Sequence, residues 1–190
     1  MKILLHTCCG PCAVVYTSGL EARNIAFDLF WHNHNIHPFT EYRSRKQALE
    51  HFAKINNYQL MTEDEYGLRD FVATTLASPA ARCQNCYKNR LDKTAQTAKK
   101  QGYAAFSTTL LASPYQKFET ICEEGELLAK RLGLKFVVKD FRENFRDGMA
   151  KAREMGLYMQ KYCGCIFSEE ERYSKAGKVS LGNFVSFPRK

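Results

Sequence analysis

The chain has 190 residues, enough for one domain, and its 45% hydrophobic and 13% aromatic content provides a core that needs no disulfide bonds. The formal net charge of +8 suits a polyanionic partner such as RNA or DNA, with a generic basic surface as the alternative. No apolar run approaches a membrane span and the N-terminus lacks a signal-peptide pattern, so we expect a cytoplasmic protein with reduced thiols and no membrane partner.

Strand patterns alternate with longer helical patterns along the chain. The predicted strands are residues 2–6, 26–31, 58–61, 103–107 and 135–139, and the predicted helices are residues 13–21, 41–55, 66–76, 83–100, 118–132 and a segment near 149–155. This alternation predicts an α/β fold with a parallel sheet flanked by helices. We expect one domain over residues 1–190, with a helical, cysteine-containing elaboration and a polar tail from about 144 to 190.

Seven of the eight cysteines lie in three tight clusters. They are Cys8, Cys9 and Cys12, then Cys83 and Cys86, and then Cys163 and Cys165. The first cluster follows the first predicted strand, at the sheet edge where parallel sheets bind ligands. Because vicinal and closely spaced cysteines strain when they bridge each other, the clusters predict one shared metal or iron–sulfur site.

Several alternatives remain open for individual cysteines. A single structural zinc would use the first two clusters and leave Cys12 and the third cluster without a role. Cys9-Gly10-Pro11-Cys12 has the spelling of a thioredoxin active site, but it follows the first strand and leaves four clustered cysteines unexplained. Cys163 and Cys165 are able either to form a reducible disulfide or to hold a second metal. The isolated Cys122 is expected to be a buried helix residue.

Polar groups near the predicted sheet edge are candidates for substrate binding. Small hydroxyls and planar groups, which hydrogen-bond or stack on an unstacked base, include Ser107, Thr108, Tyr115 and Gln116, and Arg90 is a candidate phosphate ligand. Helix capping, turn formation and a solvated helix face are the structural alternatives for these residues.

Histidines are concentrated near the same edge. The loop histidines His32, His34 and His37 are expected to be solvated or substrate-facing rather than metal ligands. For His6, which directly precedes the first cysteine cluster, we expect a hydrogen bond to a sulfur.

Four motifs in order resemble epoxyqueuosine reductases of the QueH type. They are His6–Cys12, residues 82–87, residues 106–116 with the Ser-Thr-Thr-Leu-Leu-Ala-Ser-Pro-Tyr-Gln run, and residues 157–168 with Gln160-Lys161-Tyr162-Cys163-Gly164-Cys165. The resemblance covers nearly the whole chain. It implies a Rossmann-like fold of the HUP and PP-loop kind, and a cobalamin-independent oxidoreductase that removes the epoxide oxygen of epoxyqueuosine in tRNA, the last step of queuosine biosynthesis.

The resemblance also implies cofactors and roles for the cysteines. Cys8, Cys9, Cys83 and Cys86 would bind a 4Fe-4S cluster, and Cys163 and Cys165, with Cys12 as a further ligand, would form an adjacent redox pair or hold an additional iron ion. The implied partners are tRNA carrying epoxyqueuosine and an electron donor that the sequence does not identify.

Two other functions fit parts of the sequence. A PP-loop tRNA sulfur transferase with a 4Fe-4S cluster would need a Ser-Gly-Gly-x-Asp-Ser loop after the first strand, where this chain has His6–Cys12. A zinc-stabilised RNA-binding module would account for the charge and some cysteines without any catalysis.

Overall fold

Five strands form one parallel sheet in the computed structural model, which describes residues 2–174. They are β1 (Lys2–His6), β2 (Ala26–Trp31), β3 (Leu60–Thr62), β4 (Ala105–Thr108) and β5 (Lys135–Phe136). Their order in the sheet is β3-β2-β1-β4-β5, and every neighbouring pair is parallel. The chain thus builds outward from β1 to one side and then crosses to the other, which places a topological switch point between β1 and β4.

Seven helices surround the sheet. They are α1 (Gly10–Glu21), α2 (Phe39–Ile55), α3 (Leu68–Ala77), α4 (Arg82–Lys100), α5 (Phe118–Leu132), α6 (Phe145–Glu154) and α7 (Ile166–Ser174). Helix α1 contacts α2 and α6, whereas α4 contacts α3 and α5. Two helical layers therefore cover the sheet, as buried parallel strands require. None of these helices has the length and apolar character needed to cross a bilayer.

The core explains why β1 reads as a short apolar run. Ile3, Leu4 and Leu5 are completely buried in the middle of the sheet, where both faces are covered by helices. At the end of α5, Gly133 adopts a left-handed conformation with φ of 70°, which ends that helix.

The predicted α/β fold is confirmed, with differences at the ends of elements and near the C-terminus. The pairing of β5 stops at Phe136 rather than at residue 139, and β3 begins two residues later than predicted. The prediction of only a loop and a polar tail after Cys165 is wrong for residues 166–174, which form α7. The rest of that predicted tail, residues 175–190, lies outside the described residues.

Candidate metal centre

The first cysteine cluster surrounds the N-terminus of α1, directly after the central strand. The Sγ atoms of Cys8, Cys9 and Cys12 all lie within 4.8 Å of one another, and all three residues are buried. Cys9 precedes the helix, and its Sγ accepts the Cys12 backbone N–H at 3.4 Å, in the place of the usual hydroxyl or carboxylate cap. At Gly10 an added Cβ would lie 3.2 Å from the Ala48 carbonyl oxygen, so the glycine lets α1 approach α2 closely.

These three thiols are electrostatically unequal. Hydrogen bonds from Cys12 and Cys9 hold the pKa of Cys8 well below its usual range. Burial raises the pKa of Cys9, and the hydrogen bond with Cys8 raises the pKa of Cys12. Since the N-terminus of a helix also favours negative charge, Cys8 is the sulfur best prepared to act as a thiolate ligand.

Gln160 contacts this cluster from the distant C-terminal segment. Its Nε2 donates to Cys9 Sγ at 3.0 Å and to Cys12 Sγ at 3.7 Å. Its Oε1 is buried and has no hydrogen-bond partner. A buried acceptor without a partner beside three sulfurs is a candidate contact for a bound group, and composition or spacing alone could not have placed it there.

The second cluster occupies the N-terminal turns of α4. Cys86 is buried and packs with Phe71, Cys165 and Phe167. Cys83 is half-buried and packs against the main core, to which Cys8, Cys9 and Cys12 also belong. Burial raises the pKa of Cys86 to about 11, so this thiol needs a cation nearby to ionise at neutral pH.

Arg90 provides that cation. Its side chain is 3% exposed, and its Nη2 donates to Cys86 Sγ at 3.2 Å while its Nε donates to the Cys86 carbonyl. Burial alone would lower the pKa of Arg90, but attraction to Cys86, Cys8 and Cys163 outweighs it and raises the pKa. Among the ion pairs of residues 2–174, none joins Arg90 to a carboxylate. Within residues 2–174 the guanidinium therefore contacts the Cys86 sulfur and forms no ion pair with a carboxylate.

The third cluster lies on a loop that α2 holds in place. Arg45, only 1% exposed, donates to the carbonyl oxygens of Tyr162 at 2.9 Å and Cys163 at 3.1 Å, and it is ion-paired with Glu41. Gly164, which lies between Cys163 and Cys165, has φ of 128°, a conformation that other residues rarely adopt. Arg45 thus fixes the path of the cysteine loop.

Within this loop the two thiols are free and unequal. Cys163 is exposed, and hydrogen bonds from Cys165 and Ser168 lower its pKa to about 5. Cys165 is buried just before α7, where its Sγ accepts the Ser168 backbone N–H at 3.4 Å. The contact with Cys163 raises the pKa of Cys165, so the pair combines a thiolate with a protonated thiol.

The histidine-rich loop after β2 is largely buried, so of the two expectations for it, solvation is wrong and contact with substrate stays a prediction. His32 and His37 are 4% and 0% exposed, and Asn33 and Asn35 are equally buried. Its unpartnered buried atoms include the Nδ1 atoms of His32, His34 and His37. The loop packs against the third cysteine cluster, because the His37 backbone N–H donates to the Gly164 carbonyl at 2.8 Å.

His6 does not make the expected hydrogen bond to a sulfur. Its Nδ1 lies 2.9 Å from Thr108 Oγ1, and its Nε2 donates to the His32 carbonyl at 3.2 Å. Burial lowers the pKa of His6 to about 3, which keeps the ring neutral. The hydrogen bonds of His6 therefore link the end of β1 to the end of β4 and to the loop after β2.

The other predicted substrate contacts occupy varied positions. The Ser107 hydroxyl is buried against Tyr16 and Val137, and Thr108 is bonded to His6. Gln116 accepts from the Tyr87 hydroxyl at 3.0 Å, and Tyr115 is 82% exposed. Substrate contact by Ser107, Thr108, Tyr115, Gln116 and Arg90 stays a prediction.

The structure also gives the positions of Cys12 and Cys122. Cys12 lies with Cys8 and Cys9, and its role as a further ligand beside Cys163 and Cys165 stays a prediction. Cys122, expected to be buried in its helix, is half-buried on α5 and packs against the main core. Closely spaced buried sulfurs are the donors that iron and zinc prefer, so the first cluster is chemically suited to a metal centre.

The chain is similar to one family of known proteins over most of its length. A family model described as "Epoxyqueuosine reductase QueH" matches residues 3–171. A protein of that name from Dehalococcoides mccartyi is 36% identical over 174 residues, covering 92% of this chain and 96% of its own. Another from Thermotoga maritima is 34% identical over 189 residues, covering 94% and 95%.

One solved structure has the same fold. It is titled as a predicted subunit of tRNA methyltransferase from Methanocaldococcus jannaschii, and its TM-score with this chain is 0.52 at 14% identity. The match covers 93% of this chain and 89% of that one. At such low identity the likeness shows the shared α/β fold alone.

Proposed function

Because the chain belongs to the epoxyqueuosine reductase QueH family, an oxidoreductase family of queuosine biosynthesis, we propose that it deoxygenates epoxyqueuosine in tRNA at an iron–sulfur centre, without cobalamin. The reaction takes two electrons and two protons, breaks both carbon–oxygen bonds of the epoxide, and yields the cyclopentene ring and water. The electrons come from an external reductant.

The observation that carries the proposal is the buried charge of Arg90. A buried guanidinium without a carboxylate is costly unless another anion compensates it. Ionised Cys86, Cys8, Tyr87 or Cys163 would each attract this charge, and the Cys86 sulfur accepts its N–H at 3.2 Å. A thiolate-ligated centre that includes Cys86 would supply the missing negative charge.

The positions of the clusters support the same conclusion. Each cluster lies at a helix N-terminus: the first at α1, the second at α4 and the third at α7. Unpaired backbone N–H groups and the helix dipole stabilise anions at such ends. We therefore propose Cys8, Cys9, Cys83 and Cys86 as the ligands of a 4Fe-4S cluster, with Cys12 as the alternative to Cys83 because it lies within the first cluster.

The residues around the centre divide the remaining work. When bound, a 4Fe-4S cluster supplies electrons one at a time. The positive charge of Arg90 would stabilise the negative charge added on reduction. The side-chain amide N–H of Gln160 would orient the sulfurs of Cys9 and Cys12. The raised pKa of Cys165 keeps this thiol protonated beside the centre.

Cys163 and Cys165 form the proposed second centre, in one of two states. As a reduced pair they would give two electrons and the Cys165 proton and end as a disulfide, with the second proton of the reaction coming from solvent; as thiolates they would bind an additional iron ion. Titration of free thiols before and after one turnover distinguishes these states. Loss of two thiols indicates the dithiol, and an unchanged count with extra iron indicates the metal.

The charge of the chain fits a tRNA substrate. A net charge of +8 favours contact with phosphates, which dominate such affinity. The modified base would have to leave its stack in the anticodon loop to reach the cysteines. We further propose that residues 1–190 form one domain, in which the segment from about 144 onward completes the centre.

The experiment is anaerobic purification with iron and zinc quantification, followed by mass spectrometry of nucleosides from epoxyqueuosine-containing tRNA. Serine variants of Cys8, Cys9 and Cys86 should lose iron and activity together, whereas Cys122→Ser, the matched control, should keep both. Serine variants of Cys163 or Cys165 should lose turnover but keep the cluster. A colourless wild-type protein that holds only zinc would contradict the proposal.

A further inference from the structure

A cavity of about 340 Å³ opens beside the cysteines, between the histidine-rich loop, α3 and α4. Its lining includes Cys86 together with His32, His34, Asp70 and Thr74. It is within the size range of small-molecule sites and reaches one of the proposed cluster ligands. A second cavity of about 320 Å³ lies between α1 and α6, but no cysteine lines it.

The inner wall of the cavity carries unused hydrogen-bonding capacity. His32 is 4% exposed, and the Nδ1 atoms of His32 and His34 have no hydrogen-bond partner. The two rings are stacked with centroids 5.6 Å apart. Burial lowers the pKa of His34 to about 3, so its ring is neutral and presents a planar surface together with a donor and an acceptor. Such a wall suits a polar heterocycle.

A carboxylate without an ion-pair partner also lines the cavity. Asp70 lies in the first turn of α3 and forms no ion pair among the pairs of residues 2–174. Asp92, which also lines the cavity, is ion-paired with Arg131 instead. Asp70 is thus available to a cation that enters the cavity.

We infer that this cavity is the subsite for the modified base, and that Asp70 is a specificity-determining residue that binds the protonated secondary amine of epoxyqueuosine. This inference rests on the proposed function. The amine links the 7-deazaguanine to the cyclopentane epoxide, so it would lie between the histidine wall and Cys86. The epoxide would then face the centre, and the purine-like ring would contact His32 and His34.

The substitution Asp70→Asn should change the binding of modified and unmodified tRNA in opposite directions. The protein is basic and tRNA is polyanionic, so removal of one acidic charge by Asp70→Asn should strengthen general tRNA binding if anything. If Asp70 recognises the ammonium group, the same substitution should weaken the binding of the modified tRNA only. The matched control is Asp147→Asn, which removes an exposed first-turn acid on α6, away from the cavity.

The test uses the anaerobically purified holoenzyme, with epoxyqueuosine-containing tRNA as substrate and the same tRNA with unmodified guanosine as competitor. For Asp70→Asn we expect KM to rise by about tenfold with kcat within about twofold of wild type, which corresponds to one lost polar interaction. Iron content and affinity for unmodified tRNA should not fall. Asp147→Asn should match wild type in KM.

A second variant tests the cavity itself. Thr74 is exposed on α3, so Thr74→Trp should fold and fill the space. We expect turnover of modified tRNA to fall by about a hundredfold, with iron content and binding of unmodified tRNA retained. Unchanged KM in Asp70→Asn, or full activity in Thr74→Trp, would overturn the inference while wild-type turnover upholds the proposed function. No turnover by iron-loaded wild type would instead overturn the proposed function.

Discussion

Replacement of Arg90 by Gln should lower the reduction potential of the metal centre. The variant removes a buried positive charge whose Nη2 lies 3.2 Å from Cys86 Sγ. Because reduction adds an electron to the centre, loss of the nearby cation makes that step less favourable. Arg90→Lys keeps a charge but loses the guanidinium geometry, so it should recover part of the shift.

The size of the shift follows from Coulomb's law. Two unit charges 3.2 Å apart interact by about 5 kcal/mol at an effective dielectric constant near 20. For one electron that is a ceiling of about 220 mV, at about 59 mV per tenfold change in equilibrium constant. The added electron spreads over a cluster farther from the guanidinium, so we expect a shift of about 100 mV.

The assay is a redox titration of the anaerobically purified variants, monitored by visible absorption. Arg131→Gln, an exposed arginine on α5 that is paired with Asp92, is the matched control and should leave the potential unchanged. A potential for Arg90→Gln equal to that of Arg131→Gln, with full iron content, would refute the argument that Arg90 neutralises the centre.

The remaining predictions concern the ligands and the loop that holds the third cluster. Cys12→Ser should lose iron if Cys12 is a ligand and keep it if Cys83 is, and Cys83→Ser should give the opposite result when iron is quantified in both. Arg45→Met should impair turnover more than iron binding, because it frees the two carbonyls that fix the Cys163 loop; equal loss of both would contradict that separation. Gly164→Ala should destabilise the protein by about 1–3 kcal/mol in denaturant unfolding, since φ is 128° and Arg45 Nη1 lies 3.2 Å from the added Cβ; an unchanged midpoint would show that the loop adapts.

The fold and the location of the site could be predicted because both depend on local patterns. The apolar run of β1 and the turn at Gly10 and Pro11 predict a buried strand followed by a helix. That pattern places Cys8 at the carboxyl edge of a parallel sheet before any tertiary contact is known. The same reasoning places Cys83 at the start of α4.

The partners of the cysteines could not be predicted, because they depend on long-range packing. Arg45 reaches the third cluster across more than a hundred residues of sequence, and Gln160 reaches Cys9 across a similar separation. Polar composition indicates exposure, so the loop of His32 to His37 was expected to be solvated or to face substrate. Its burial follows from packing against the loop that contains Gly164.

The ends of helices at the cysteines also depend on the tertiary structure. Cysteine is not a usual N-cap residue, so neither the capping of α1 by Cys9 nor the start of α7 after Cys165 has a clear signal in the sequence. Cys9 and Cys165 each accept a backbone N–H at 3.4 Å, so both sulfurs help to begin a helix.

The most direct measurement is a single-turnover reaction of the anaerobically purified, iron-quantified protein with epoxyqueuosine-containing tRNA and a chemical reductant, with cobalamin omitted. We expect conversion to queuosine, seen in mass spectrometry as the loss of one oxygen atom, in proportion to the iron–sulfur content. Iron-loaded protein that leaves epoxyqueuosine unchanged, or equal conversion by protein stripped of iron, would contradict the account.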